Sequence, residues 1–272
     1  MTKQPYATLS NGSNMPLLGL GVYDMYGKEA ESAITDALEM GYRLIDTAAA
    51  YDNEKEVGNA IRNSAVPRHE IFVTTKVANP QQGYDSTLKA FDESMRRLDI
   101  EYIDLYLVHW PIKGKRIQTW KALEKLYNDK QVRAIGVANY LVPFLKELED
   151  YASITPAVNQ LEFSPFLFLK DEYEYCQKRN IQLQSYSPLA RGKKFHDPTL
   201  LAIANKYGKS PAQLMIRWNL EHRISTIPKS ASHKRLQENF DVFDFAIDET
   251  DMATLDNLHE DFRVVESPMH ML

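Results

Sequence analysis

Only one cysteine occurs in the chain, Cys176, which excludes an intramolecular disulfide and a thiolate metal cluster. That scarcity fits a reducing compartment. Within Glu174-Tyr175-Cys176-Gln177-Lys178 the lone thiol reads as a helix packing residue. No apolar run is long enough to span a bilayer, and the polar opening Met1-Thr2-Lys3-Gln4-Pro5-Tyr6 has no apolar signal core. A cytosolic protein is expected, with no membrane partner. Charge is also unremarked in sign: 32 Lys+Arg against 37 Asp+Glu give a net charge of −5, with no basic block to hold nucleic acid. Low-complexity segments, long Gly/Ser linkers and readable repeats are missing as well. So is the Rossmann fingerprint, because Gly19-Leu20-Gly21-Val22-Tyr23-Asp24 has no third glycine.

What the chain does have is a recurrence of short apolar strands, at Arg43–Ile45, Ile71–Thr75, Ile103–Val108, Ala134–Val137, Ala157–Gln160, Ile181–Tyr186 and Ser225–Ile227. Amphipathic helical patterns lie between them, among them Glu29–Met40, Asp85–Leu98, Ile117–Asn128 and Leu200–Tyr207. Alternating strand and helix implies a parallel sheet. A strand around Leu18-Gly19-Leu20-Gly21 brings the number to eight, and eight βα units predict an α/β fold of the (β/α)8 TIM barrel type over residues 1–272 as a single domain. An open doubly wound sheet is the alternative, disfavoured by the missing dinucleotide glycines. At the start, Asn11-Gly12 between two short alternating runs predicts an N-terminal β-hairpin that caps the barrel floor.

In such a barrel the chemistry sits at the C-terminal ends of the strands. The strand from Arg43 ends on Asp46, with Tyr51 five residues on; the next ends on Lys76, and Ile103–Val108 ends on His109. Four proton-handling side chains therefore converge on one mouth. A tyrosine titrates near 10, and a neighbouring ammonium stabilises its phenolate, so Lys76 is expected to acidify Tyr51 while Asp46 keeps Lys76 in place and charged. His109 would hydrogen-bond a polar substrate atom, with Tyr23 and Trp110 forming a substrate wall. This set suits protonation of a carbonyl oxygen while something else adds to carbon. No side chain is an evident nucleophile, and the missing reagent is a hydride, which a cofactor must supply.

The cofactor signal comes late, in Ile227-Pro228-Lys229-Ser230-Ala231-Ser232-His233-Lys234-Arg235-Leu236-Gln237-Glu238-Asn239, which follows the last strand and opens a helix. Helix N-termini bind phosphate, and Lys229, Ser230 and Arg235 add donors suited to a phosphomonoester such as the 2′-phosphate of NADP. NADP is thereby preferred over NAD.

Taken together, these segments closely resemble the aldo-keto reductase family over nearly the whole chain. The resemblance rests on Asp46-Thr47-Ala48 with Tyr51 and Asn53-Glu54, Leu107-Val108-His109-Trp110-Pro111, Gly136-Val137-Ala138-Asn139-Tyr140, Val158-Asn159-Gln160, Ser185-Tyr186-Ser187-Pro188-Leu189 and Ile227-Pro228-Lys229-Ser230. It implies NADPH-dependent reduction of an aldehyde or ketone by 4-pro-R hydride transfer. By position, Tyr51 is the general acid, Lys76 and Asp46 tune it, and His109 orients the carbonyl. The same matching puts Asn139 and Gln160 on the nicotinamide carboxamide, Tyr186 on the nicotinamide ring, and Ser187 and Leu189 along the pyrophosphate. Lys229, Ser230, Arg235, Glu238 and Asn239 hold the adenosine end, and Gly21, Val22 and Asp46 also line the cofactor. Two positions depart from the common pattern. Ala138 replaces a frequent serine, which removes a neutral hydrogen bond worth about 0.5 to 1.5 kcal/mol. Asp52 replaces a frequent glycine, as in the bacterial diketogluconate reductase-like branch.

Three competing readings are disfavoured by the sequence. A metal site is disfavoured, because no second histidine or carboxylate stands at ligand spacing from His109. An NADPH-binding sensor or structural protein on the same scaffold would not need the complete tetrad. A phosphosugar isomerase or aldolase using Lys76 as a Schiff base would need a neutral amine, which Asp46 opposes. Glu54 reads as an early-helix carboxylate outside the site. The short link from Pro111 to Ile117 predicts an open mouth, the C-terminal segment from Arg263 to Leu272 should help select the carbonyl, and a barrel of this size is expected to be a monomer.

Overall fold

The computed structural model describes residues 4–272; the first three residues of the polar N-terminal segment lie outside it. Strands β1 (Tyr6–Thr8) and β2 (Asn14–Pro16) pair antiparallel as the expected hairpin, and Gly12 turns the chain at φ 85°. The hairpin packs Leu9 and Met15 under the barrel, beside Leu44, Phe72, Leu105 and Val158. These side chains plug the floor.

Eight parallel strands follow: β3 (Leu20–Gly21), β4 (Leu44–Asp46), β5 (Phe72–Val77), β6 (Ile103–Val108), β7 (Val132–Ala138), β8 (Val158–Glu162), β9 (Gln182–Tyr186) and β10 (Ser225–Thr226). Each pairs with its sequence neighbour. The sheet closes where Leu18 bridges Thr226, with the Gly19 amide donating to Thr226 O at 2.9 Å and the Thr226 amide to Leu17 O at 2.8 Å. The (β/α)8 barrel is therefore complete. Around it run α1 (Gly27–Met40), α2 (Glu54–Asn63), α3 (Tyr84–Leu98), α4 (Arg116–Asn128), α5 (Val142–Glu149), α6 (Lys170–Lys178), α7 (Pro198–Lys206), α8 (Pro211–Glu221), α9 (His233–Phe240) and α10 (Glu249–Asp256). The strand expected at Ile103–Val108 forms with those bounds, and the others shift by one or two residues at an end. Helix α2 begins at Glu54 and α6 carries Cys176, both as their sequence context implied, whereas α5, α8 and α10 lie outside the helical patterns named from the sequence.

Local chemistry explains several of these boundaries. Ser210 caps α8 through a reciprocal pair with Gln213, and Asp197 caps α7 by accepting from the amides of Thr199 and Leu200. Gly41 ends α1 at φ 111°, a left-handed conformation that costs other residues. Cys176 is buried on α6, as its sequence context predicted, and burial pushes its thiol up to about 12. Among the described residues no helix is long and apolar enough to cross a membrane.

Alternation along the strands sorts side chains between the helices outside and the barrel interior. On β6, Tyr106 and Val108 join the helix-facing core whereas Leu105 and Leu107 join the interior group. The interior series turns polar toward the mouth: Leu44 gives way to Asp46, Phe72 to Lys76, and Val158 to Gln160. Polar side chains thus collect at the C-terminal end.

One close approach offers a test of the packing. A Cβ added at Gly58 on α2 would lie 1.8 Å from the Leu98 carbonyl oxygen, a backbone atom that cannot swing aside. Gly58→Ala should therefore destabilise the fold by about 1–3 kcal/mol, despite alanine's better helix propensity, and differential scanning calorimetry should show a lower Tm.

Candidate active site

Asp46 closes β4, Lys76 lies near the end of β5 and His109 follows β6, so the three register-adjacent strands carry them to one spot. Tyr51 arrives differently, on a single 3-10 turn, Ala49–Tyr51, that follows β4. Lys76 Nζ donates to Asp46 Oδ1 at 2.6 Å and to Thr47 O at 2.9 Å, and stands 3.5 Å from Tyr51 Oη. The Tyr51 ring meets the His109 ring edge-on, with centroids 5.6 Å apart. All four predicted catalytic side chains are together.

Their electrostatics depart from one expectation. Burial raises the Tyr51 phenol well above its usual value, and the negative charge of Asp46 adds to that effect. Lys76 therefore does not make the resting phenol acidic, and Tyr51 holds its proton. Burial likewise pushes Asp46 up and Lys76 down, each opposed by the other's charge. Gln160 Nε2 donates to Asp46 Oδ2 at 2.7 Å, and Thr47 O accepts from Lys76, so both ions have partners beyond each other and the ion pair holds. Lys76 is fully enclosed with its donors committed, an arrangement opposed to Schiff-base chemistry. His109 is lowered to about 3, first by burial and then by the Lys76 charge, so its imidazole is neutral.

The turn bearing Tyr51 is secured by two residues. Asn53, fully buried, donates to Val22 O at 2.7 Å and Met25 O at 2.9 Å and accepts from Thr47 Oγ1 at 2.6 Å. It joins the Tyr23 loop to the Tyr51 turn. Glu54, set aside as a helix-end carboxylate, is in fact buried, accepting from Thr75 Oγ1 at 2.6 Å and Arg97 Nε at 2.7 Å. A carboxylate three residues past Tyr51 gave no spatial signal in the sequence, because its partner Arg97 lies on α3. Asp52 adopts φ 53°, the left-handed region where glycine is favoured and aspartate is tolerated.

At the mouth, Tyr23 is exposed and sets its ring edge-on to Tyr51 at 5.1 Å, while Trp110 is partly buried and its carbonyl accepts from Gln82 Nε2 at 2.7 Å. Glu162, at the end of β8, accepts from the amides of Val264 at 2.6 Å and Val265 at 3.1 Å, and Lys113 Nζ donates to Leu272 O at 2.9 Å. The C-terminal segment is thereby strung from β8 to the loop behind Trp110.

Residues matched to a nucleotide fit one. Gly21 and Val22 close β3, where Val22 N donates to Asp46 O at 3.0 Å. Asn139, at φ 65°, donates to His109 O at 2.8 Å and accepts from Tyr186 Oη at 2.8 Å, so the nicotinamide-matched residues form one wall. Ser187 and Leu189 follow on the loop after β9. Ser230 is buried ahead of α9, and Lys229 and Arg235 are exposed with no ion pair among the described residues. Two free cations at a helix N-terminus suit a phosphate. Asn239 is buried on α9, whereas Glu238 accepts from Ser210 Oγ at 2.5 Å and so also serves the α8 cap. No group of three or more metal-ligating side chains occurs among the described residues.

The family model "Aldo/keto reductase family" matches residues 18–260, and the chain belongs to that family. It is 48% identical over 265 residues to glyoxal reductase of Bacillus subtilis (strain 168), covering 97% of this chain and 96% of the relative. It is 43% identical over 281 residues to morphine 6-dehydrogenase of Pseudomonas putida, covering 98% of this chain and 95% of the relative. Among solved structures, the aldo-keto reductase MGS-M4 from a Medee basin deep-sea metagenome library superposes with a TM-score of 0.94 at 44% identity, over 96% of this chain and 97% of the other. A mutant of Gox0644 in complex with NADPH gives 0.93 at 39% identity, over 98% of each chain. The protein is an oxidoreductase, and its cofactor is NADP(H).

Two tests follow from this geometry. Removing Glu162 takes the acceptor from two amides, so Glu162→Ala should speed hydrogen–deuterium exchange at Val264 and Val265 by about ten-fold or more. For His109, the folded pKa of about 3 lies below the usual 6.5, so acid favours the unfolded chain. Its contribution is complete above about pH 6.5 and is lost as pH falls toward 3, the loss having reached about 2 kcal/mol by pH 5. Unfolding of His109→Asn should accordingly lose less stability than the wild type between pH 7 and pH 5.

Proposed function

We propose that the protein reduces an aldehyde or ketone to an alcohol at the Tyr51 mouth, with Tyr51 as the general acid. The observation that carries this reading is a protonated, half-buried phenol 3.5 Å from an ammonium, with a neutral imidazole alongside. When bound, NADPH supplies a hydride, assigned as the 4-pro-R hydrogen, to the carbonyl carbon.

The chain's own residues do the rest. His109, neutral, donates one hydrogen bond to the carbonyl oxygen and orients it without giving up a proton. As negative charge grows on that oxygen, Tyr51 Oη transfers its proton there. The phenolate left behind faces Lys76 Nζ, whose charge matters most at that moment because the surroundings are dry. Asp46 holds Lys76 against the turn, so the ammonium does not swing away. High resting affinity for the proton and strong stabilisation of the transient phenolate are compatible, since burial sets the first and Lys76 the second. Asn139, Gln160 and Tyr186 are assigned to the nicotinamide, Ser187 and Leu189 to the pyrophosphate, and Lys229, Ser230, Arg235, Glu238 and Asn239 to the adenosine phosphate end.

Relatives named for glyoxal and for morphine differ widely in the size of what they act on. Carbonyl choice is therefore assigned to the rim, formed by Tyr23, Trp110 and the C-terminal segment. A monomer is expected from the self-sufficient barrel, and the free, buried Cys176 supports a cytosolic enzyme. NADPH oxidation should be followed at 340 nm with a panel of aldehydes and ketones. Tyr51→Phe should lower kcat by about 10²- to 10⁴-fold while NADPH binding stays near wild type. Near-normal turnover in that variant would remove Tyr51 from the acid role, and nucleotide binding without turnover of any carbonyl would favour a sensor.

A further inference from the structure

Below the reacting groups the barrel encloses two polar side chains with no part in the proton chemistry. Gln184 on β9 and Ser225 on β10 are both fully buried. Strand register pairs Gln160 with Gln184 and Gln184 with Ser225, so the three share one interior layer. Ser225 Oγ donates to Pro16 O at 3.1 Å, and Gln184 Nε2 donates to Ser225 Oγ at 3.3 Å. Gln160 Nε2 then donates to Gln184 Oε1 and to Asp46 Oδ2, each at 2.7 Å. A continuous line of hydrogen bonds runs from the hairpin floor to the Lys76–Asp46 pair.

Its direction is forced from both ends. The Pro16 carbonyl can only accept, so the Ser225 hydroxyl spends its single proton there. The lone pair left on Ser225 takes an N–H, which turns the Gln184 amide with its NH₂ toward Ser225 and its carbonyl toward Gln160. At the other end the Asp46 carboxylate, charged against Lys76, also only accepts. Gln160 stands between two acceptors and commits both N–H groups to them. Its Oε1 accepts no hydrogen bond from any described residue and is not sealed from solvent. On its other side, the register partner is Ala138, which has no polar atom to compete for the amide.

We propose that Gln184 and Ser225 are positioning residues that fix the amide of Gln160 with its carbonyl outward, so that the site selects a nucleotide whose ring substituent offers an N–H donor. This rests on the assignment of Gln160 to the nicotinamide carboxamide. Without Gln184 the amide loses its second acceptor, and rotation of Gln160 is restrained by Asp46 alone. The device reads the carboxamide NH₂ through a contact set on the far side of the barrel.

The test is equilibrium binding to the full-length protein, followed by quenching of intrinsic fluorescence, with NADP⁺ and with its 3-acetylpyridine analogue. The analogue has a methyl group where the carboxamide has NH₂. Wild type should bind NADP⁺ about five-fold more tightly than the analogue, the worth of one neutral hydrogen bond. In Gln184→Met, which keeps the side-chain length and removes its polarity, the ratio should fall toward one. Ser225→Ala, a smaller change that keeps the variant set usable if Gln184→Met does not fold, should lower the ratio in the same direction. A general loosening would weaken both nucleotides equally and leave the ratio intact. Retention of the wild-type ratio in both variants would overturn the positioning role, whereas a wild type without preference would overturn the carboxamide assignment itself.

Discussion

A single enclosed ion pair, Lys76 with Asp46, governs how this barrel is built. Neither charge is reachable from solvent, and leaving either without its partner would strand a charge in the interior, a loss of about 3–5 kcal/mol. The remaining hydrogen-bonding capacity of both must also be met. Thr47 O serves the ammonium and Gln160 serves the carboxylate, which fixes the ends of β4, β5 and β8 relative to one another. Because the pair sits where the Tyr51 turn leaves β4, the same constraint holds the phenol beside the ammonium.

Polarity within the barrel is arranged in layers around that pair. Leu44, Phe72, Leu105 and Val158 fill the floor together with Leu9 and Met15 of the hairpin, and nothing polar is needed there except what Pro16 O offers to Ser225. One step up, Gln184, Gln160 and Asp46 form an enclosed polar layer. Above it lie Tyr51, His109 and Tyr186. The hairpin is thus more than a lid, since one of its carbonyls starts the hydrogen-bond line that ends beneath the reacting groups.

Much of this site is legible in the sequence. Strand ends in a parallel sheet converge, so Asp46, Lys76 and His109 could be grouped from the apolar runs that precede them. Lys229, Ser230 and Arg235 stood out because a proline, a cation and a hydroxyl open a helix after the last strand. Less legible were residues whose role depends on a partner remote in sequence. Glu54 meets Arg97 forty-three positions on, Glu162 meets Val264 at a separation of 102, and Gln160 meets Asp46 at 114.

By itself the sequence determined the class of architecture, the family and the four side chains that converge, because periodicity and strand-end chemistry are local properties. Tertiary structure decided the protonation of Tyr51, the direction in which the Gln160 amide faces and the course of the C-terminal segment. Each of these depends on desolvation or on acceptors contributed by other strands. An ammonium next to a tyrosine predicts an acidic phenol, but only the extent of enclosure shows that burial outweighs it. The Lys76–Asp46 pair was visible as two letters at two strand ends; that it is sealed, doubly satisfied and wired to the barrel floor is a fact of packing.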